Sequence, residues 1–223
     1  MLKKKYKYNR AIILGSSSGI GKEIFNLLNK SEIREVVQCS RKNIDTSDLL
    51  SVKNFINTYN ETDILVLNTG GPPNIDFKKI TEEQWYKYFN QLFLSYTILL
   101  KDLKIKKNGY IFHISSAKTK EPNQNLIIST SLRIAFSNLL KSLTYVFNKQ
   151  NISLITIAPG PFNTSRIRDL VNDLVKFENE LPLRKLGNPR EIGLFIKFII
   201  ENKIKYITGS TIYFDGSTLK SSN

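Results

Sequence analysis

A run of glycines and serines at residues 15–21 has the spacing of an anion-binding turn. It follows an apolar segment at residues 11–14 and precedes an amphipathic segment with the pattern of a helix. Glycine permits positive φ and close approach of the backbone to a ligand, and the free N–H groups of a helix N-terminus attract phosphate. A plain strand–helix connection can have the same composition, so the turn alone leaves both interpretations open. The turn consists of Gly15, Ser16, Ser17, Ser18, Gly19, Ile20 and Gly21.

Short apolar segments alternate along the chain with longer amphipathic segments, as in a parallel sheet covered by helices on both faces. Strands are predicted at residues 11–14, 36–40, 63–68, 109–115, 153–158 and 211–214. Helices are predicted at residues 19–29, 48–59, 82–104, 129–148 and 189–201. The alternation predicts one α/β domain, residues 1–223, with a doubly wound parallel sheet in a three-layer αβα arrangement. A ligand of such a sheet binds at the carboxyl ends of the strands, where the turn at residues 15–21 also lies.

The composition is that of a globular protein with an excess of positive charge. Its 33 Lys and Arg residues against 19 Asp and Glu residues give a net charge of +14 at pH 7. We interpret this charge as a solvated lysine-rich surface and expect neither a nucleic acid nor a membrane partner. No apolar run approaches the roughly 18 residues of a membrane span, and the basic N-terminus lacks the features of a secretory signal, so a cytoplasmic location is expected. The single cysteine, Cys39, makes no internal disulfide, and no Cys/His cluster predicts a metal site.

Five motifs, in order between residues 11 and 217, resemble those of the short-chain dehydrogenase/reductase family. They are the turn at residues 15–21, Asn68-Thr69-Gly70, Ile114-Ser115-Ser116, Pro159-Gly160 with Thr164, and Thr208-Gly209 with Asp215-Gly216. The resemblance implies a Rossmann-type sheet, a nicotinamide dinucleotide, and hydride transfer between the nicotinamide and a carbonyl or alcohol.

The residues after the predicted second strand indicate which dinucleotide is used. Enzymes that use NAD place an acidic residue there, whereas enzymes that use NADP supply arginine. Here Ser40, Arg41 and Lys42 follow the strand, and a guanidinium can pair bidentately with a 2′-phosphate. We therefore expect NADP(H) over NAD(H), with a solvent-facing Arg41 as the alternative. The resemblance also assigns to the cofactor site Asp45, Thr46, Asn68, Thr69, Gly70, Pro159, Gly160 and Thr164.

The catalytic pattern departs from the usual Asn, Ser, Tyr and Lys of the family. Alignment on Ser116 places Ser129 at the Tyr position and Arg133 at the Lys position, and these three residues are the expected catalytic set. The Asn position falls on Leu92, with Asn90 as the alternative. Serine is a far weaker acid than tyrosine, and arginine stays protonated, so another group or water must supply the proton. Tyr96 is a candidate donor, whereas His113, inside an apolar strand, is expected to be a core residue.

Two further segments bear on the site. Asp45 follows Ser40 too closely for the family's usual second helix and third strand, which predicts a shortened region between the second and third strands. Residues 161–187 correspond to the variable lid of the family. Ile167, Leu170, Leu174 and Val175 fit one face of a short helix there. Arg166 and Arg168 could contact an anionic substrate, with solvent-facing arginines as the alternative.

The leading hypothesis is an NADP(H)-dependent oxidoreductase that acts on a small carbonyl or alcohol, such as a 3-oxoacyl or sugar-like compound. The alternative is a dinucleotide-binding protein without efficient catalysis that serves as a sensor or partner subunit. Family resemblance also suggests a homodimer or homotetramer packed through the helices at residues 82–104 and 129–148, which sizing in solution would test.

Overall fold

Six strands form one parallel sheet at the centre of the computed structural model, which describes residues 6–221. The strand order is β2-β1-β3-β4-β5-β6. The chain therefore reverses its direction of winding between β1 and β3, which makes the sheet doubly wound. The strands are β1 (Tyr8–Ile13), β2 (Ile33–Gln38), β3 (Glu61–Leu67), β4 (Lys104–Ile114), β5 (Ser153–Pro159) and β6 (Ser210–Phe214).

Helices cover both faces of the sheet. On one face α1 and α8 pack against the strands, and on the other face α2, α4 and α5 do so. The helices are α1 (Gly19–Leu28), α2 (Leu49–Thr58), α3 (Glu82–Phe89), α4 (Ser95–Asp102), α5 (Ile127–Phe147), α6 (Ser165–Leu170), α7 (Leu174–Glu180) and α8 (Pro189–Glu201). A π-helical turn, Asn90–Leu94, joins α3 to α4.

Alternation along the buried strands divides the core between the two faces. Ala11 and Ile13 pack on the α1/α8 side, whereas Ile12 and Leu14 pack on the α2/α4/α5 side, and all four are at most 1% exposed. Successive side chains of a strand point to opposite faces, so a strand covered on both sides is apolar throughout. The three-layer Rossmann-type fold predicted from these apolar runs is confirmed, as is the shortened region between the second and third strands, since residues 39–48 contain no helix or strand.

The predicted helix at residues 82–104 was wrong at its C-terminal end. The chain turns extended at Leu103, and Lys104 begins β4, where it pairs with Glu61 of β3. Leu103 and Ile105 are buried, and Lys106 makes an ion pair of 2.6 Å with Glu61. Pairing with β3, burial of these side chains and the ion pair therefore stabilise a strand here, although the sequence pattern favours a helix.

The prediction of a single short helix across residues 167–175 was also wrong. Helix α6 ends at Leu170, and Val171 is extended. Asp173 then begins a second helix, because its carboxylate accepts a hydrogen bond from the Lys176 backbone N–H. An aspartate at this position caps a helix N-terminus, which separates the lid into two short helices.

Candidate functional site

The turn after β1 is built on a close approach between two backbones. Gly15 has a φ of +58°, and a Cβ at this position would lie 2.7 Å from the Asn68 carbonyl oxygen. The Asn68 Nδ2 donates to the carbonyl oxygens of Gly15, at 3.0 Å, and Leu14, at 3.3 Å. Asn68 therefore holds the end of β3 against the turn, and a side chain at Gly15 would separate them.

The three serines of the turn have different surroundings. The Ser16 hydroxyl is fully buried, donates to the Ile13 carbonyl and accepts from the Cys39 backbone N–H at 2.8 Å. It therefore joins the ends of β1 and β2. Ser17 and Ser18 are exposed instead, and the Ser18 side chain does not cap α1. The first N–H groups of α1 thus remain available to an anion.

An outer cavity of about 260 Å³ lies beside this turn, at the end of β2. Arg41 and Asp45 line it together with Ser40 and Thr46. Partial burial disfavours the Asp45 carboxylate, but hydrogen bonds from Ser47 and the charge of Arg41 outweigh that cost and hold the pKa of Asp45 below its usual range. The cavity thus presents a guanidinium and an ionised carboxylate where the sequence predicts the adenosine end of a dinucleotide.

An inner cleft of about 250 Å³ adjoins the outer cavity. Ser116, Ser129 and Arg133 all line it. Ser116 begins a 3₁₀ turn, in which its hydroxyl accepts from the Lys118 backbone N–H at 3.2 Å. The cleft and the outer cavity share Gly15, Ser18, Asn68, Thr69 and Gly70.

Arg133 is 6% exposed and is bonded on three sides. Its Nε donates to the Ser129 Oγ at 3.3 Å, its Nη1 to the Ile114 carbonyl at 2.8 Å, and its Nη2 to the Thr69 carbonyl at 3.4 Å. Burial lowers the pKa of Arg133 from its ordinary value. A guanidinium nevertheless stays protonated in proteins, so this position keeps a fixed positive charge.

The lid contributes one arginine to the cleft and directs another away from it. The Arg166 Nη2 donates to the Pro72 carbonyl, and Arg166 lines the cleft. Arg168 is exposed, and its Nη2 donates to the Asn163 Oδ1 at 2.8 Å. Thr164, at the start of α6 in the lid, places its side chain against Gly19 of the turn at residues 15–21.

The structure places Tyr96, the candidate proton donor, outside the cleft, and it places His113 in the core as expected. Tyr96 is fully buried beside Phe136, and burial raises the pKa of its hydroxyl above the usual range. His113 is also fully buried, and burial lowers its pKa to about 3. Leu92, which the sequence alignment assigned to the family's Asn position, packs with Ile128 in the core.

Sequence reasoning missed Gln91. Its Nε2 donates to the Gly70 carbonyl at 2.7 Å and to the Thr69 Oγ1 at 3.3 Å, and the Thr69 Oγ1 lies 3.4 Å from the Thr46 Oγ1. The π-helical turn directs Gln91 toward this loop. The sequence offered one signal: Gln91 is a polar residue directly before the apolar run Leu92–Leu94, within the predicted helix.

Most of the predicted site residues come together in these two adjoining cavities. Three do not line either of them, since Ser16 and Gly21 are buried in the turn and Lys42 is exposed beside it. The predicted residues that line the cavities are Gly15, Ser17, Ser18, Gly19, Ile20, Ser40, Arg41, Asp45, Thr46, Asn68, Thr69, Gly70, Ser116, Ser129, Arg133, Pro159, Gly160 and Thr164.

A larger cavity, of about 780 Å³, lies far from these groups at the amino ends of the strands. Its Lys205 already donates to the carbonyls of Asn108 and Gly109 and lies over the Tyr110 ring.

None of the helices between residues 6 and 221 combines the length and apolar character needed to cross a membrane. The same residues contain no group of three or more His, Cys, Asp or Glu side chains that could hold a metal ion.

Comparisons with known proteins agree with the fold and the motifs. A family model described as enoyl-(acyl carrier protein) reductase matches residues 17–217. The chain is 24% identical to a 7alpha-hydroxysteroid dehydrogenase of Escherichia coli (strain K12), covering 96% of this chain and 95% of the relative. It is 26% identical to a 3-oxoacyl-(acyl-carrier-protein) reductase of Chlamydia trachomatis, covering 78% of this chain and 73% of that protein.

Solved structures resemble the chain over nearly its whole length. A small-chain dehydrogenase in complex with NADPH superposes with a TM-score of 0.81 at 24% identity, covering 93% of this chain and 97% of that one. L-sorbose reductase from Gluconobacter frateurii, complexed with NADPH and L-sorbose, superposes with a TM-score of 0.82 at 22% identity, covering 99% and 100%. With the family model matching most of the chain, the protein is a member of the short-chain dehydrogenase/reductase family and one of its oxidoreductases.

Proposed function

We propose that this protein is an NADP(H)-dependent oxidoreductase that moves a hydride between the nicotinamide and a small carbonyl or alcohol substrate. The observation that carries the proposal is the pair of adjoining cavities at the carboxyl edge of the sheet. The outer one contains Arg41, and the inner one contains Ser116, Ser129 and Arg133. Relatives named as reductases and a solved neighbour in complex with NADPH support it.

The residues present fit a dinucleotide. At Gly15 the space of a Cβ is taken by Asn68, so only glycine fits this turn, and the N-terminus of α1 follows it directly. The positive end of the helix and its free N–H groups stabilise the pyrophosphate charge. Arg41 would pair with the 2′-phosphate, and Arg133 would donate to hydroxyls of the nicotinamide ribose. The bound dinucleotide supplies the hydride.

The chain's own groups would orient and stabilise the carbonyl oxygen. Ser116 and Ser129 face the same cleft, and each can donate its hydroxyl hydrogen to an oxygen bound there. The Ser129 oxygen already accepts from Arg133, and a hydroxyl that accepts a charge-assisted hydrogen bond becomes a stronger donor. The fixed charge of Arg133 stabilises the negative charge that develops on the oxygen, and water supplies the proton.

A titration with NADPH and NADH, followed by nicotinamide fluorescence, tests the cofactor. We expect the parent protein to bind NADPH more tightly than NADH, because Arg41 recognises the phosphate that NADH lacks. Arg41→Ala should weaken NADPH binding by about 10- to 100-fold and leave NADH binding nearly unchanged, since a hydrogen bond between charged groups contributes about 1.5–3 kcal/mol.

Arg34→Ala is the matched control. Arg34 is an exposed arginine of β2, and it lies at the other end of the strand from Arg41. Its loss removes the same charge and should leave both affinities unchanged. Equal NADPH binding by the parent and Arg41→Ala would refute the role of Arg41. Binding without turnover of any carbonyl in a broad panel would instead favour a sensor or partner role.

A further inference from the structure

The inner cleft carries two positive charges and no negative one. Arg133 and Arg166 line it, and no Asp or Glu is among its lining residues in the described part of the chain. Neither guanidinium takes part in an ion pair among residues 6–221; Asp169 of the lid attracts Arg166 only from beyond ion-pair distance. Two partly desolvated like charges in one cleft are unfavourable, and a bound anion would relieve them.

The two arginines differ in how far their hydrogen bonds are already committed. Arg133 donates to Ser129, Ile114 and Thr69, which holds its guanidinium in place. Arg166 has one donor engaged, toward the Pro72 carbonyl. A guanidinium carries five N–H donors, so Arg166 keeps a pair of donors for a ligand. Because Arg166 is half-buried, its attraction to an anionic partner is stronger than that of an arginine at the open surface.

Arg166 also lies close to the proposed reacting position. Gly71 separates it from Ser129, because a Cβ at Gly71 would lie 3.5 Å from the Arg166 Nη2 and 3.7 Å from the Ser129 Oγ. A carbonyl oxygen bonded to Ser129 therefore places the neighbouring atoms of the same molecule within reach of Arg166. The absent side chain of Gly71 leaves the space between the two groups open.

Resting on the function proposed above, we propose that Arg166 binds the carboxylate of the substrate and that the substrates are short 2-oxo or 3-oxo acids and the corresponding hydroxy acids. In the reducing direction a hydride from NADPH adds to the carbonyl carbon and the C=O π pair moves to the oxygen. The oxygen takes a proton from water, which releases hydroxide to the solvent, the dihydronicotinamide is oxidised, and the product is a hydroxy acid. The rest of the lining includes Leu126, Phe162 and Leu170, which suits a short apolar chain beyond the carbonyl.

Binding of matched acids and esters tests this proposal. The probes are 2-oxobutanoate and 3-oxobutanoate with their methyl esters, and their binding is measured by calorimetry with and without NADP⁺. Because NADP⁺ has no hydride to donate, these carbonyl compounds are not turned over during the measurement. We expect each acid to bind about 10- to 100-fold more tightly than its ester, as for a bidentate charge-assisted pair. Arg166→Met should abolish this preference and leave the affinity for NADP⁺ unchanged, whereas Arg166→Lys should restore part of it.

Arg168→Met is the matched control, since Arg168 lies two residues further along the lid and is exposed outside the cleft. It should keep the preference of the parent. Esters that bind as tightly as acids would overturn the proposal, as would an Arg166→Met protein that loses NADP⁺ affinity as strongly as acid affinity. Acid binding that needs Arg166 in the absence of NADP⁺ would support it even if the parent failed to bind the dinucleotide. If the parent bound neither NADPH nor NADH in the fluorescence titration, that result would count against the proposed function but not against the carboxylate site at Arg166.

Discussion

At the scale of single residues, the Ser129–Arg133 pair carries the chemistry that we propose for the inner cleft. The two side chains lie one helical turn apart on α5, so Arg133 reaches back to the Ser129 Oγ. The serine accepts this bond with a lone pair, and its hydrogen stays free for a ligand. In the proposed reaction the pair would therefore act as a hydrogen-bond donor to a developing oxyanion, not as an acid that gives up its own proton.

Replacement of Ser129 by alanine should therefore lower kcat more than it affects binding. We expect kcat to fall by about 100-fold, the effect of removing one oxyanion donor, with the affinity for NADPH unchanged. Steady-state kinetics on the best carbonyl substrate of a panel measure this. Ser131→Ala, on the exposed side of the same helix, should behave like the parent. A Ser129→Ala enzyme with undiminished kcat would exclude the hydroxyl from the chemistry.

Residue types alone could not separate the arginines or the serines of the site. Arg166 and Arg168 have the same local sequence surroundings, but the short α6 directs one into the cleft and the other toward Asn163. Ser16 and Ser18 likewise belong to one turn, and the Ser16 hydroxyl is used between β1 and β2. These differences depend on tertiary contacts that no local pattern contains.

At the scale of elements, β1, β3, β4 and β5 could be predicted best because each contains a short apolar run that both faces of the sheet bury. The π-helical turn between α3 and α4 could not be predicted, since its one additional residue leaves the amphipathic pattern nearly continuous. That turn presents Gln91 to the loop of Thr69 and Gly70, which lines both cavities. Gln91 is therefore a positioning residue for this loop.

Loss of the Gln91 amide should loosen the loop that both cavities share. For Gln91→Met, which keeps the length of the side chain without its donor, we expect NADPH to bind about fivefold more weakly, the effect of one lost hydrogen bond. Fluorescence titration measures the affinity, and a melting curve checks that the fold is intact. Gln150→Met at an exposed position is the control. If both variants bind NADPH like the parent, the amide does not position the loop.

At the scale of the whole molecule, the core beneath the site contains the single histidine of the chain. His113 of β4 is fully buried, its ring is 4.8 Å from that of Phe136, and neither ring nitrogen has a hydrogen-bond partner among the described residues. Burial, with a smaller contribution from the charge of Arg133, lowers its pKa from 6.5 to about 3. The folded protein therefore keeps this imidazole neutral at a pH where the unfolded chain protonates it.

This difference makes stability depend on pH in a defined window. Because the unfolded chain binds the proton and the folded protein does not, the free energy of unfolding is full above pH 6.5 and falls as the pH decreases toward about 3. The slope should be about 1.4 kcal/mol per pH unit well below 6.5. Carboxylates with lowered pKa values, such as Asp45, lose their contribution only at more acidic pH, so the range from pH 7 to pH 5 isolates the histidine.

Urea unfolding at several pH values between 7 and 5, compared with His113→Phe, tests whether the buried imidazole causes the slope. Phenylalanine fills a similar volume against Tyr96 and Phe136 and has no group to protonate. The parent should lose stability steadily across this range, whereas the variant should keep a constant free energy of unfolding. A parent protein equally stable at pH 7 and pH 5 would mean that His113 gains a proton in the folded state, and hence that water or a polar group reaches the core of the sheet. An equal slope in both proteins would place the titrating group elsewhere.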